Sequence, residues 1–155
     1  MARNEKERFA TGTKHLISCK VASATVIDKG DFVCIINGAA IPASDIADAG
    51  DAAANREAAA DAFCGICETA TVDGSTTEIQ VDLSTHATFD LTLEAAAAAS
   101  IGDLMEIFAD TSAPSRNTMV AGGTSPVAVV VRDQSSQVSQ RCQLLPSKLF
   151  GTAQA

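Results

Sequence analysis

Hydrophobic and polar residues alternate over several short stretches of this chain. Ile79, Val81 and Leu83 are separated by polar residues, and the same alternation recurs over residues 89–93. Successive side chains of a strand point to opposite faces, so this pattern predicts strands with one buried face. Turn residues divide the chain into ten strand candidates at regular spacing: 14–21, 24–27, 31–36, 63–69, 76–83, 87–93, 103–109, 118–121, 127–132 and 138–145. This spacing predicts a mainly β fold, a small single-domain barrel or sandwich.

Two of the candidate strands are apolar on both faces. They are Phe32-Val33-Cys34-Ile35-Ile36 and Val127-Ala128-Val129-Val130-Val131. One face is expected to line the core, and the other requires a cover from the core or from a subunit contact. Phe32, Ile36 and Val131 are therefore candidate interface residues.

Two alanine-rich segments each predict a short helix or an ordered turn, so we expect one or two short helices. Residues 51–62 and 94–100 combine high helix propensity with low strand propensity. Asp51 is suited to cap the first helix at its N-terminus.

A weak internal repeat lies in the turns that precede two strands. Gly30-Asp31-Phe32-Val33 recurs as Gly102-Asp103-Leu104-Met105. The repeat predicts two related β units within one barrel, and the alternative is that both turns simply use common turn residues.

The chain is expected to comprise a terminal arm, one domain and a tail. Residues 1–13 are polar and aperiodic, which predicts an extended N-terminal arm; residues 14–146 form the β domain and residues 147–155 a C-terminal tail. No apolar run approaches the length of about 20 residues that spans a bilayer, and the first residues lack the apolar core of a signal peptide. We expect no membrane partner and synthesis in a cytoplasm.

Charge is segregated along the sequence. Fourteen acidic residues and a single basic one, Arg56, lie between Ala40 and Asp110. The net charge of −8 and the absence of Trp and Tyr disfavour binding to nucleic acid. The acidic surface either keeps the protein in solution or faces away from a partner.

Candidate chemistry is sparse. Cys64-Gly-Ile-Cys67 has the spacing of half a zinc site or of a redox pair, but no second pair accompanies it, and on a regular strand the two sulfurs would diverge. The five cysteines are expected to be free thiols. His15 and His86 lie in no nucleophile motif, and Asp45, Asp48 and Asp51 do not form a calcium loop. We therefore expect no enzymatic activity, no metal and no cofactor.

Four segments, in order, resemble the capsid decoration (cement) proteins of tailed bacteriophages. They are Lys29-Gly-Asp-Phe-Val, Ala54-Asn-Arg-Glu-Ala-Ala-Ala-Asp-Ala-Phe-Cys-Gly-Ile, Ile101-Gly-Asp-Leu-Met and Pro126-Val-Ala-Val-Val-Val-Arg-Asp, and the similarity spans about residues 21–145. The resemblance implies a β-rich, non-enzymatic homotrimer that binds the outside of an icosahedral head and stabilises it. This chain differs at Cys64 and Cys67, where the family more often has Val or Ala.

The same resemblance implies a partner and a location. The major capsid protein would be the partner and the virion exterior the location. On the assembled shell, the arm would order on a neighbouring subunit or on the major capsid protein. The arm's cations Arg3, Lys6, Arg8 and Lys14 would then meet acidic residues of the shell. The alternatives are a small thiol or metal-binding protein that uses Cys64 and Cys67, and an adhesion module on the virion surface.

Overall fold

Strands dominate the computed structural model, which describes residues 8–22, 24–69, 78–83 and 85–145. A 3-10 turn occupies Ala43–Asp45, and the helix α1 spans Ala52–Ala62. The strands are β1 (Phe9–Gly12), β2 (Leu16–Lys20), β3 (Phe32–Ile36), β4 (Ala39–Pro42), β5 (Phe63–Cys67), β6 (Glu78–Asp82), β7 (Ala87–Ala99), β8 (Leu104–Ala109), β9 (Pro114–Ala121), β10 (Ala128–Val130) and β11 (Gln134–Leu144).

The larger sheet closes into a five-stranded barrel. Its strand order is β1-β7-β11-β10-β8-β9, and β9 also pairs with β7. That last pairing is parallel and covers only Thr92 with Thr118 and Leu93 with Met119. We call this short contact the seam; β1 adds to β7 outside the closed ring.

The smaller sheet has a matching arrangement. Its order is β2-β6-β5-β3-β4, and an isolated parallel bridge between Val21, the residue after β2, and Ala40 on β4 connects its two edges. The five strands β2 to β6, taken in chain order, occupy the same positions in this sheet as β7 to β11 in the barrel. In both sheets the contact that closes the five strands into a ring is parallel.

The turn before β3 and the turn before β8, the second strand of each ring along the chain, have the same structure. Asp31 Oδ2 accepts from the Asp28 amide at 2.8 Å, and Asp103 Oδ2 accepts from the Ser100 amide at 2.8 Å. Gly30 and Gly102 both have positive φ, 91° and 95°. The internal repeat predicted from the sequence is therefore structural, although each copy forms its own ring, and the prediction that both units share one barrel is wrong.

Two buried clusters fill these rings. The smaller sheet surrounds one of them, to which all five of its strands contribute: Cys19, Val21, Ile27, Val33, Ala40, Cys64, Cys67, Ile79 and Val81. The other cluster joins the larger sheet to α1 and to outer residues of β3 and β5, among them Phe32 and Phe63. Because β3 contributes to both clusters, its two apolar faces are both covered within the chain.

Helix α1 confirms the first alanine-rich prediction. The Asp51 side chain accepts from the Ala54 amide at 2.8 Å and caps the N-terminus. Ala59, Ala60 and Ala62 are buried against the core, where their small side chains permit close packing. No helix within the described ranges is long and apolar enough to cross a membrane.

The second alanine-rich segment is not helical, so that prediction is wrong. Residues 94–99 continue β7 and pair with β11, with Gln137 opposite Ala97 and Gln134 opposite Ala99. A helix this short is unstable in isolation, and β11 supplies backbone partners that outweigh the propensity of alanine.

Two further boundaries differ from the sequence prediction. Phe9–Gly12, assigned to the arm, forms β1 and pairs with the start of β7. Residues 1–7 of the arm and the whole predicted tail, residues 147–155, lie outside the described residues. The candidate strand at 24–27 is absent because Ala24 has a φ of 57°, a left-handed turn conformation, while β4 was not predicted.

Candidate functional site

The outer halves of β7 and β11 form a two-stranded ribbon. In this ribbon, defined as residues 94–101 and 133–138, the strands pair with each other and with no other described strand. Elsewhere β7 also contacts β1 and β9, and β11 contacts β10 at residues 142–144. Each ribbon strand therefore has an outer backbone edge without a described strand beside it, which is the arrangement to which another chain can add.

The β7 side of the ribbon is small and apolar, whereas the β11 side is polar and uncharged from Gln134 to Gln137. Ala95, Ala96 and Ala98 are exposed, and Ile101 and Val138 are the two most exposed large hydrophobic side chains described, at 66% and 57%. The Asp133 carboxylate accepts from the Ile101 amide at 2.7 Å and fixes the turn that presents Ile101. A concentration of exposed apolar residues in a chain of net charge −8 is typical of a contact surface.

The apolar residues nominated from the sequence lie elsewhere. Phe32 is fully buried and packs edge-to-face on Phe63 with ring centroids 6.3 Å apart, so its nomination as an interface residue is wrong. Ile36, at the end of β3, is 39% exposed. Val131 is half-buried, and its amide donates to the Arg141 carbonyl.

Arg8 is buried and forms hydrogen bonds within the domain. It is 4% exposed, and its guanidinium donates to Thr92 Oγ1 at 2.6 Å and to the Asn117 carbonyl at 3.3 Å. These groups lie on β7 and β9, so Arg8 bridges the seam. Burial lowers the pKa of Arg8, and Asp31 partly opposes that effect. The predicted contact of Arg8 with an acidic shell is therefore wrong for this conformation.

Lys14, next to the predicted arm, is the other described cation that was expected to meet the shell. Its ammonium lies 2.6 Å from the Glu68 carboxylate and 4.8 Å from the centroid of the Phe9 ring, and its side chain is about one-third exposed. Arg3 and Lys6 lie outside the described residues.

An ion pair connects the two rings. Arg116 on β9 donates to Asp31 Oδ2 at 2.6 and 3.0 Å and to the Val26 carbonyl at 2.9 Å. Asp31 is 1% exposed, and its burial raises the pKa of its carboxyl group despite the neighbouring Arg116. The pair fixes the turn before β3 against the closed barrel.

The Cys-x-x-Cys pair lies on β5, as predicted, but the two residues do not diverge. The pairing of β5 with β3 shifts between Val33 and Cys34, and this irregularity places Cys64 and Cys67 in the same buried cluster. A bulge inserts one residue and changes which face the following side chains occupy.

All five cysteines are buried and free. Burial raises the pKa of Cys67 to about 12, and a hydrogen bond to Cys19, together with burial, raises the pKa of Cys64. A thiol held protonated is a poor nucleophile and a poor metal ligand. His15 and His86 are exposed, and across the described ranges no three His, Cys, Asp or Glu side chains gather as a metal site.

The sequence analysis missed the ribbon. Both strands of the ribbon have uncharged stretches, at residues 95–101 and 134–137, and this lack of charge was visible in the sequence. The first stretch was instead predicted to be helical, and no strand candidate covered the second. The pairing between these distant segments was not visible in either one alone.

No protein-family model matches the chain, and no curated protein or solved structure matches it.

Proposed function

We propose that this protein is a non-enzymatic structural component of a virus particle that binds the outside of an assembled icosahedral capsid and stabilises it. The sequence resemblance to phage decoration proteins is the first support for the proposal, and it also motivates a homotrimer. The mainly β fold is compatible with that class.

The ribbon is the observation on which the proposal rests. It presents Ile101 and Val138 with a row of alanines, and its only carboxylates are Glu94 and Asp133. Burying such a surface on a partner releases ordered water at little desolvation cost, because few charged groups must be dehydrated. Its outer backbone edges also offer hydrogen bonds to a partner strand.

The docking surface differs from the one that the sequence suggested. Arg8 and Lys14 are engaged within the chain, so we place the capsid contact on the ribbon. Within the proposed trimer, several ribbons would engage the shell together, and such multivalency converts weak single contacts into firm attachment. A protein that binds the assembled shell and not its free subunits raises the cost of disassembly by mass action.

The test uses capsids of the cognate major capsid protein, with and without this protein. We expect decorated capsids to rupture at a higher temperature and the protein to sediment with them. The variant Ile101→Asp/Val138→Asp should fail to sediment with capsids, because it places two charges in the apolar contact.

The matched control is Leu16→Asp. Leu16 is also an exposed hydrophobic residue, at 42%, but it lies on β2 of the other sheet. The Leu16→Asp variant should bind capsids as the unmodified protein does. Equal rupture temperatures with and without the protein would refute the stabilising role, and unchanged binding of the double variant would refute the ribbon as the contact.

Neither alternative function gains a specific observation. Cys64 and Cys67 are buried, and nothing in the described residues favours adhesion.

A further inference from the structure

A polar pocket opens to solvent beside helix α1. It lies between the first half of α1, the strand β8 and the loop 122–125 that follows β9, and its volume is about 250 Å³. Its principal lining residues are Ala53, Arg56, Glu106, Gly123, Thr124 and Ser125. No ribbon residue lines this pocket, so it is separate from the surface assigned to the capsid.

The buried carboxylate of Glu106 forms one wall of the pocket. Glu106 is 5% exposed, and its Oε2 accepts from the Thr124 amide at 3.1 Å. A Cβ atom placed on Gly122 would overlap the same oxygen, so the loop can approach the carboxylate only because glycine stands there. The loop therefore holds Glu106 in one position.

Arg56 lies beside this carboxylate and has donors to spare. Its Nε is 3.5 Å from Glu106 Oε1, and within the described part of the chain this is the only ion pair or hydrogen bond of Arg56. A guanidinium is planar and carries five N–H donors, so a group whose Nε side faces one carboxylate has its two Nη groups available for a second. The side chain is 30% exposed, which leaves this second edge accessible from the pocket.

Ser125 adds a hydroxyl at the same pocket. The residue is 9% exposed, and its hydroxyl has no hydrogen-bond partner among the described residues. Its oxygen is not sealed off from the pocket, because it is not one of the fully buried polar atoms without a partner. A nearly buried hydroxyl is normally paired, so this one is available to a bound group.

These donors favour one class of ligand. The fork of an arginine matches the two oxygens of a carboxylate, and a hydroxyl can donate to either oxygen. Glu106 carries a negative charge at the same pocket, so a dianion such as phosphate is repelled more strongly than a monoanion. Arg56 is also the single basic residue between Ala40 and Asp110, which makes this pocket the one place in that acidic stretch with a cation to offer.

We infer that this pocket binds a carboxylate, which pairs with the Nη groups of Arg56 and accepts a hydrogen bond from the Ser125 hydroxyl. The carboxylate belongs either to a free small organic acid or to an acidic side chain of a partner protein, and the chemistry of recognition is the same. The inference does not depend on the proposed capsid function, since all of these residues lie in one chain and outside the ribbon.

The experiment titrates the full chain, labelled uniformly with ¹⁵N, at constant ionic strength. Propionate is the first probe, and propionamide is its neutral counterpart of nearly the same shape. The amide resonances of Gly123 and Ser125 and the Nε–H resonance of Arg56 should shift saturably with propionate, with a dissociation constant of about 1 mM. Propionamide should not produce these shifts, and inorganic phosphate should bind more weakly than propionate.

A second pair of probes distinguishes the two sources of the carboxylate. These are the blocked peptide acetyl-Gly-Glu-Gly-amide and the same peptide with Gln in place of Glu. Tighter binding of the Glu peptide than of propionate assigns the site to an acidic side chain of a partner protein, and tighter binding of propionate assigns it to a free acid.

Two variants test the residues named. Arg56→Lys keeps a positive charge beside Glu106 but removes the fork, so it should weaken propionate by more than about tenfold. Ser125→Ala should weaken it by about tenfold, the equivalent of one charge-assisted hydrogen bond of about 1.4 kcal/mol. Arg132→Lys is the control and should bind as the unmodified protein does, because Arg132 is exposed and does not line the pocket.

Saturable shifts with either carboxylate, absent with both amides and weakened in Arg56→Lys, support the inference. The absence of saturable shifts with both carboxylates overturns it. So does an affinity that folded Arg56→Lys and Ser125→Ala variants leave unchanged, or tighter binding of phosphate than of propionate.

Discussion

Arg8 and Lys14 show how differently two cations of one segment can be used. The guanidinium of Arg8 reaches both strands of the seam, where a planar group with several donors can satisfy acceptors in two directions. Lys14 pairs with Glu68 at the surface, where water and salt weaken the attraction. The two residues should therefore contribute very differently to stability.

Replacement of Arg8 by Met should lower the free energy of unfolding by about 1–3 kcal/mol, because two acceptors at the seam lose their donor while the side-chain volume is nearly kept. Urea denaturation followed by circular dichroism measures the change. Lys14→Met, the matched variant, should cost less than about 1 kcal/mol. Equal losses would show that Arg8 does not hold the seam.

At the scale of elements, β5 combines close packing with an irregular register. All five of its residues are buried, and it pairs with both β3 and β6. A Cβ atom placed on Gly65 would lie 2.3 Å from the Asp82 carbonyl oxygen and 3.0 Å from a Val81 methyl group. Only glycine permits β6 to approach this closely.

Gly65→Ala should therefore destabilise the protein by about 2 kcal/mol or more, since backbone must move to relieve the overlap. Thermal unfolding compared with Gly123→Ala provides the test. The Cβ of that control would meet only a Leu104 methyl group at 3.5 Å, an ordinary contact. A small effect at both positions would contradict the packing described for β5.

At the scale of the whole molecule, the two rings are joined by a shared apolar cluster and by the pair of Arg116 with Asp31. Buried thiols lie in both clusters: Cys34 and Cys142 in the shared one and Cys67 inside the smaller sheet. Burial raises the pKa of each of these three thiols to about 12 from the ordinary value of 9.0.

Stability should consequently fall at alkaline pH. Below pH 9 the folded and unfolded states both retain these protons, so the stability is fully present. Between pH 9 and 12 the unfolded chain loses protons that the folded chain keeps. These three groups together lower the free energy of unfolding by about 4 kcal/mol per pH unit, and Cys64, whose pKa is also raised, adds to the fall.

Denaturation curves at pH 8.5 and at intervals up to pH 11 measure this slope. The chain has no Tyr, which removes one group that would titrate in the same range. Cys67→Ala should reduce the slope by about one-quarter, whatever its effect at neutral pH, because Cys67 is one of four thiols with a raised pKa. A stability that does not change between pH 9 and 11 would contradict the raised thiol pKa values.

The sequence by itself determined the properties that depend on local pattern. Period-two alternation placed β6 and the first half of β7, and the capping chemistry of Asp51 placed α1. Glycine and aspartate marked the two equivalent turns, because the positive φ of the glycine and the carboxylate-to-amide bond are both local. The β5 strand that contains Cys64 and Cys67 was also predicted correctly.

Only the tertiary structure decided which segments pair across long sequence separations. Residues 94–99 have helix propensity, yet they form a strand that pairs with β11, and this pairing forms the ribbon. Phe32 is apolar as an interface residue would be, but the rest of the chain covers it. These outcomes depend on distant residues competing for the same backbone bonds and the same buried volume, which no local pattern records.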